Sequence, residues 1–336
     1  MFSKLLNYSP DPMTDVLTSN RRTKRAWLLR ALLAVFVFGV CVAGAFYWRP
    51  FWMLDQLTRV WLRVEGVRSD YVQLGPYRIH YLAGGEGKPL VLVHGLGGRA
   101  QDWAVLIPSL MKQGYRVYAL DLLGFGQSPR PDLDYSIALQ TNLLNQFVDS
   151  QRLNQFDLAG WSMGGWIALK FTLEHPERVE RLVVFDSAGV DFKPAFDPAL
   201  FHPSTVAQAQ EFLTWLTPQA SRIPRFMARD MIREMHPRAW VVDRAMKSML
   251  SRVDILNGQL GAIQAPVLIV WGKQDILVPL FCADEMHREM PQSSLELFDG
   301  CGHLAPLECR DRILPEMLGF LEAQPPSPAS VRQFSR

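Results

Sequence analysis

Residues 156–165 read FDLAGWSMGG, a pattern that predicts a strand, a sharp turn and a helix in immediate succession. Phe156, Leu158 and Ala159 form the apolar run, and residues 165–175 are helix-compatible. At the apex stands Ser162, with Gly160 and Gly164 two residues to either side. A serine on such a turn has its Oγ pushed out into solvent, and a side chain at either glycine would collide where strand and helix diverge. The spacing G-x-S-x-G is therefore a steric requirement for presenting a nucleophile. Because Gly and Ser also meet by chance in loops, the pentapeptide gains its meaning from what converges on it.

Outward from this stretch, short strands alternate with helical segments. Residues 71–74 and 78–83 alternate around Gly75-Pro76 as a hairpin does, and residues 89–93 (PLVLV) form a continuous apolar run typical of a buried parallel strand. A helix over 101–112, a strand over 115–120 and a helix over 137–151 lead into the serine strand. After it, residues 181–186, 266–271 and 294–298 read as further strands, and 314–322 as a last helix. Such alternation predicts an open, mostly parallel α/β sheet, in which sites lie beyond the carboxyl ends of the strands.

Those strand ends carry the chemistry. PLVLV is followed by His94-Gly95-Leu96-Gly97-Gly98, residues 266–272 by Lys273-Gln274-Asp275, and residues 294–302 by His303. The order Ser162, Asp275, His303 suits a nucleophile, an acid and a base. A serine hydroxyl needs a base at neutral pH: His303 takes its proton and returns it to the leaving group, while Asp275 holds the imidazole tautomer and stabilises the imidazolium. Negative charge developing on the carbonyl oxygen is met by two backbone N–H groups, from Met163 and from Leu96 in the glycine-rich loop. Losing one such donor typically costs about 3 kcal/mol of transition-state stabilisation.

Taken together, HGLGG, DLLGFGQS, GWSMGG, WGKQD and GCGH resemble the α/β-hydrolase superfamily in family order across residues 70–323. The resemblance implies that fold, with a mostly parallel sheet flanked by helices. It also implies the acid at Asp275 and the oxyanion donors at Leu96 and Met163. With VFDSAG and the apolar N-terminal stretch, the sequence is most similar to membrane-anchored monoacylglycerol lipases and related bacterial esterases. Similar motifs also support hydrolysis of a carbon–carbon bond in diketones. Asp186, at another strand end, is a rival acid, since some branches carry theirs there. A catalytically silent binding module is the alternative from another class, and the intact serine, acid and histidine argue against it.

Other polar residues have plainer readings. Asp121 and Ser128 fix a loop, and His94 hydrogen-bonds neighbouring backbone. His80, His175, His202, His236 and His287 are expected at the surface or at helix ends. No H-E-x-x-H and no Cys/His cluster suggests a metal, and no cofactor is expected. A net charge of +2 carries no nucleic-acid-like excess, and no protein partner can be inferred. Cys41, Cys282, Cys301 and Cys309 follow no framework spacing and are expected as free thiols.

The N-terminal region divides into three segments. Residues 1–26 are expected as a disordered tail ending in a basic cluster, Arg21, Arg22, Lys24 and Arg25. Residues 27–48 form an apolar segment long enough to span a bilayer, with Trp27, Tyr47 and Trp48 as interfacial aromatics and Arg30 free to snorkel. Ala43-Gly44-Ala45 resembles a cleavage site, but the long preceding region favours a retained anchor. Lys4, Arg21, Arg22, Lys24 and Arg25 before the segment and Arg30 in its first turn, against Arg49, Arg59, Arg63 and Arg68 after it, predict a cytoplasmic N-terminus and an extracytoplasmic (periplasmic) catalytic domain. Residues 49–69 repeat apolar positions at helical spacing, as an amphipathic neck that lies on the membrane or packs on the domain.

Residues 190–258 lack strand pattern and are rich in Phe, Trp and Met, which predicts a helical cap. Most of these side chains must form the cap's own core, and those on its underside suit an acyl chain. The expected activity is cleavage of monoacylglycerol-like or medium-chain carboxylic esters, a small-molecule or lipid substrate reached from the membrane. Residues 324–336, with three prolines, are expected as a disordered tail.

Overall fold

The computed structural model describes residues 12–324 and 329–335. Helix α1 runs over Pro12–Trp48. Its segment Trp27–Trp48 has a mean hydropathy of 2.3 and no buried residue, and at about 1.5 Å per residue it is long enough to cross a hydrocarbon core. The expected disorder of residues 1–26 is thereby corrected from Pro12 onward, residues 1–11 lying outside those described. Proline is tolerated in the first helical turn, where its missing N–H has no intrahelical partner, and neither Gly nor Pro interrupts the helix between its first turn and Gly39.

A break at Arg49 separates α1 from α2 (Pro50–Val64). One edge of α2 packs on the domain through Asp55 and Leu62, while Trp52, Leu57, Val60, Trp61 and Val64 stay exposed. The two readings of the neck are thus compatible: it packs on the domain and still offers an apolar face. The junction between the two helices is held by the cap. Phe46 and Tyr47 meet Phe226 at ring-centroid distances of 6.2 and 5.1 Å. Arg49 pairs with Asp230 (2.9 Å) and Glu234, and Arg233 donates to the Trp48 carbonyl at 2.9 Å.

Among the described residues, nine strands form one sheet in the order β1-β2-β4-β3-β5-β6-β7-β8-β9, with β1 at Arg68–Leu74, β2 at Tyr77–Gly84, β3 at Lys88–Val93, β4 at Tyr115–Leu120, β5 at Phe156–Trp161, β6 at Val179–Phe185, β7 at Val267–Gly272, β8 at Ser294–Phe298 and β9 at Ser330–Phe334. The β1–β2 hairpin and the β2–β4 pair are antiparallel, and every other pair is parallel. All residues of β5, β7 and β8 are buried, because helices cover both faces and a parallel sheet leaves none to solvent. Helices α3 (Ile107–Lys112), α4 (Ile137–Ser150) and α5 (Met163–Glu174) precede the cap, which holds α6 (Val206–Leu216), α7 (Arg225–Met235) and α8 (Ala239–Leu250). After it come α9 (Phe281–Glu289), α10 (Ala305–Glu308) and α11 (Arg310–Glu322).

Two expectations fail locally. The helix expected over 101–112 is split into a 3-10 turn at Ala100–Trp103 and α3, with Pro108 in the first turn of α3, where a proline starts a helix more readily than it continues one. The tail is not disordered throughout, since β9 extends the sheet in parallel with β8. Arg332 pairs with buried Glu296 and with Glu316 (2.8 Å), and Phe334 stacks on Phe298 at 4.6 Å. Residues 325–328 and 336 of that tail lie outside those described.

Candidate active site

The turn after β5 holds Ser162 at φ 57°, ψ −118°, in the half of backbone space that side chains disfavour. Two close approaches enforce it. A Cβ on Gly160 would lie 2.2 Å from the Gly164 carbonyl oxygen, and one on Gly164 would lie 2.2 Å from that of Val93. Strand, turn and helix pass too closely for any side chain at these positions, as the glycine spacing requires.

Ser162 Oγ lies 2.9 Å from His303 Nε2, and His303 Nδ1 lies 2.8 Å from Asp275 Oδ2. The other oxygen of Asp275 accepts the N–H groups of Leu277 (2.8 Å) and Val278 (3.0 Å), so the carboxylate is fixed on both sides. Hence the turn after β7 presents a carboxylate, the loop after β8 an imidazole and the elbow after β5 a hydroxyl. In this geometry His303 can take the Ser162 proton while Asp275 stabilises the cation formed.

The His303 loop is anchored at several points. Trp161 Nε1 donates to the His303 carbonyl at 2.8 Å, and Gly302 N–H donates to Glu308 at 2.6 Å. Cys301 and Cys309 form a disulfide, with Cα atoms 6.2 Å apart. The expectation of four free thiols is thus corrected: the turn through α10 folds Cys309 back to Cys301, a proximity that spacing alone does not reveal. Cys41 and Cys282 are free, and burial pushes the Cys282 thiol up to about 12.

Met163 is the first residue of α5, so its N–H has no intrahelical acceptor. Leu96 lies in the loop after β3, in the wall of the cavity that holds Ser162 and His303. A Cβ on Gly95 would come within 3.1 Å of the Ser162 Cβ, which shows how closely that loop approaches the elbow. Both N–H groups therefore belong to segments bordering Ser162.

Asp186 is fully buried directly after β6, and its Oδ1 accepts the Gly272 N–H at 2.8 Å. Burial, and next the charge of Asp275, push its carboxyl well above the usual range. It makes no hydrogen bond to His303. His94 is buried as well: Nδ1 faces the Gly95 carbonyl (2.7 Å) and Leu122 N–H donates to Nε2 (3.1 Å). Burial lowers its affinity for a second proton, which leaves a neutral ring with Nδ1 protonated.

His80 departs from expectation. It is 1% exposed, with Nδ1 2.6 Å from Asp121 Oδ2 and Nε2 2.8 Å from Ser69 Oγ. Although burial disfavours the Asp121 charge, the hydrogen bond and charge of His80 outweigh it and lower that carboxyl. Asp121 also accepts the N–H groups of Ala100 (2.6 Å) and Gln127 (2.7 Å), and Ser128 donates to the Asp121 carbonyl at 2.7 Å. These bonds tie the loop after β4 as expected.

The cavity that holds Ser162 and His303 measures about 520 Å³. Of the cap's aromatic and Met side chains, Phe192, Phe196, Phe201, Phe212, Met246 and Met249 line it, whereas Phe226 packs on α1. Trp161 and Trp166 line it as well. Trp161, whose indole bonds the His303 loop, carried no signal in the sequence beyond its place beside Ser162. No group of His, Cys, Asp and Glu able to hold a metal occurs among the described residues.

Residues 90–316 match the model of the Alpha/beta hydrolase family. The chain belongs to that family. Among solved structures, this alpha/beta hydrolase is similar to a membrane phospholipase A described as a bacterial virulence factor: 27% identity, a TM-score of 0.74, and coverage of 87% of this chain and 98% of that one. Among characterised relatives, it is 30% identical to a 2-hydroxy-6-oxononadienedioate/2-hydroxy-6-oxononatrienedioate hydrolase of Klebsiella pneumoniae over 73% of this chain and 91% of that protein. It is 28% identical to a pimeloyl-[acyl-carrier protein] methyl ester esterase of Nitrosomonas europaea over 67% of this chain and 92% of that protein. The family thus includes ester-cleaving and carbon–carbon-cleaving relatives.

Proposed function

We propose that this alpha/beta hydrolase is a membrane-anchored serine esterase that cleaves monoacylglycerol-like or medium-chain lipid esters. The observation that carries this reading is the apolar cavity opening on Ser162, walled by aromatic and Met side chains of a cap that grips the end of the apolar helix. Such a wall accepts an acyl chain, and the clamp keeps the cap at the level of the bilayer surface. The membrane phospholipase A and the methyl ester esterase add support from similarity.

In the proposed cycle Ser162 Oγ attacks the ester carbonyl carbon and passes its proton to His303 Nε2. The Leu96 and Met163 N–H groups receive the negative charge on the carbonyl oxygen. His303 then protonates the leaving alcohol as the C–O bond breaks, leaving the acyl group on Ser162. Water, deprotonated by His303, attacks this acyl-enzyme, and the proton returns to Ser162 as the acid leaves. Asp275 holds the imidazole throughout.

The orientation with the catalytic domain outside the cytoplasm draws support from the basic residues preceding the helix. The Cys301–Cys309 disulfide agrees, since such bonds persist in oxidising compartments.

The Klebsiella relative favours a second reading, hydrolysis of a carbon–carbon bond. The substrate in that enzyme's name is a dicarboxylate. Here Asp191 and Arg252 in the cavity wall pair with each other, Lys193 is the other basic residue lining it, and apolar side chains make up most of the remainder, which suits a neutral chain better. The test is a substrate profile of the purified full-length enzyme, with p-nitrophenyl esters from acetyl to palmitoyl beside a ring-cleavage diketone. The ester reading expects a medium-chain optimum and no diketone turnover; the reverse pattern establishes the second reading.

A further inference from the structure

A second cavity, of about 640 Å³, adjoins the catalytic one. The two share Leu96, Gly97, Asp102, Phe201 and Phe212 in their walls, so they meet at the loop proposed to hold the reacting carbonyl. An ester seated at that junction would direct its acyl chain into the catalytic cavity and its alcohol moiety into the second. The chemistry of the two walls differs. Where the catalytic cavity is largely apolar, the second carries Arg59, Arg99 and Arg238 beside Asp55, Asp102 and Glu234.

These carboxylates leave guanidinium donors to spare. Asp55 is shared between Arg59 Nε and Arg99 Nη1, each at 2.9 Å. Asp102 accepts the Arg99 backbone N–H at 2.9 Å and lies 3.8 Å from Arg99 Nε, beyond hydrogen-bond distance of that guanidinium. Glu234 is held closely by Arg49, and Arg238 Nη2 reaches it only at 3.7 Å. Arg238 makes no hydrogen bond among the described residues. Burial, with the charges of Arg130 and then Arg99 adding to it, makes that guanidinium easier to deprotonate, and an anion beside it would relieve the crowding.

Gln101 is an independent sign. It lines the same cavity at 8% exposure; its Oε1 accepts from Arg59 at 3.4 Å, and its Nε2 is buried without a partner. A buried amide donor is costly to leave unpaired, so its position implies an acceptor from outside the chain. Convergent guanidinium and amide donors match a group with several charged acceptor oxygens, above all a phosphate.

We infer that this cavity is a headgroup subsite for the phosphate of a lysophospholipid-type ester, whose acyl chain occupies the catalytic cavity; this rests on the esterase reading of Ser162. The phosphate arrives on a lipid, because Phe51 and Trp52 of α2 line the cavity next to the end of the apolar helix at Trp48. Arg238 and Gln101 are its principal donors, with Arg59 and Arg99 alongside.

The test compares lysophosphatidylglycerol with monoacylglycerol of the same acyl chain, using the full-length protein in detergent micelles. The wild type is expected to favour the lysophospholipid at least tenfold in kcat/KM. Arg238→Gln and Gln101→Leu should each lower that ratio at least fivefold, and Arg238→Lys should lower it less than Arg238→Gln. The inference is overturned if the wild type prefers the neutral lipid, or if Arg238→Gln melts like the wild type and keeps its ratio. In both cases turnover of monoacylglycerol leaves the esterase reading standing; a wild type inactive on every ester removes both. Inorganic phosphate is the remaining probe: if millimolar phosphate inhibits both substrates alike and no headgroup preference exists, the cavity is a free-anion site and the lipid assignment falls.

Discussion

His303 Nδ1 lies 2.8 Å from Asp275 Oδ2, whereas Asp186, the buried carboxyl at the end of the neighbouring strand, bonds the Gly272 N–H instead. Burial, and next the charge of Asp275, push the Asp186 carboxyl up. Asp275→Asn should therefore lower kcat by roughly 10⁴, through the wrong imidazole tautomer. Asp186→Asn keeps the shape of the side chain and an oxygen acceptor for the Gly272 N–H, and should cost less than about tenfold. Turnover of p-nitrophenyl butyrate by both variants decides the matter; the opposite ranking would make Asp186 the acid.

The elbow makes a stability prediction. Gly160→Ala puts a Cβ against backbone at 2.2 Å, an obstacle that no rotamer change removes. It should cost about 3 kcal/mol or more, lowering the melting temperature by roughly 10 °C. Gly97, at φ 73° with open space around its missing Cβ, is the control: Gly97→Ala meets only backbone strain, about 1 kcal/mol. Equal melting temperatures for the two variants would contradict the steric account.

The Cys301–Cys309 disulfide closes the loop that carries His303. For a loop this short, chain entropy accounts for about 2–3 kcal/mol. The double variant Cys301→Ser/Cys309→Ser should melt roughly 5–10 °C lower. Its kcat should fall more than its KM rises, because a loosened imidazole damages the reaction more than binding. Calorimetry and steady-state kinetics check both; unchanged kcat would mean that the Trp161 bond and the Glu308 bond hold His303 unaided.

Glu296 supplies a pH dependence. Burial pushes its carboxyl from 4.5 up to about 7, against the opposing charge of Arg332 and with Glu316 adding to the rise. The folded state thus holds a proton that the unfolded state releases, so this group's contribution is lost as pH rises from about 4.5 to about 7, by up to about 3 kcal/mol. Glu296→Gln should flatten the fall in melting temperature between about pH 5 and 8. Parallel curves for variant and wild type would contradict the assignment.

Most of the sheet was legible because its strands are fully buried and read as unbroken apolar runs, and because Gly160, Ser162 and Gly164 permit one local geometry. Asp275 and His303 were legible from their strand ends. Contacts between distant segments carried no local sign. The strand at Ser330–Phe334 follows three prolines that read as disorder, and its pairing with β8, with the contacts to Glu296 and Phe298, has no local sign. His80 looked like a surface residue because its partners Asp121 and Ser69 lie far from it or on the paired strand. The second cavity escaped notice for the same reason, since α2, the loop after β3 and the cap all contribute to its wall.

The central claim is that Ser162 becomes covalently acylated during turnover. Its most direct test is mass spectrometry of the full-length protein after treatment with an alkyl fluorophosphonate, followed by peptide mapping. The account predicts one adduct per chain, on the peptide containing Ser162, with complete loss of ester hydrolysis and no adduct on Ser162→Ala. An unlabelled Ser162 in active enzyme, or full labelling of Ser162→Ala, would contradict it.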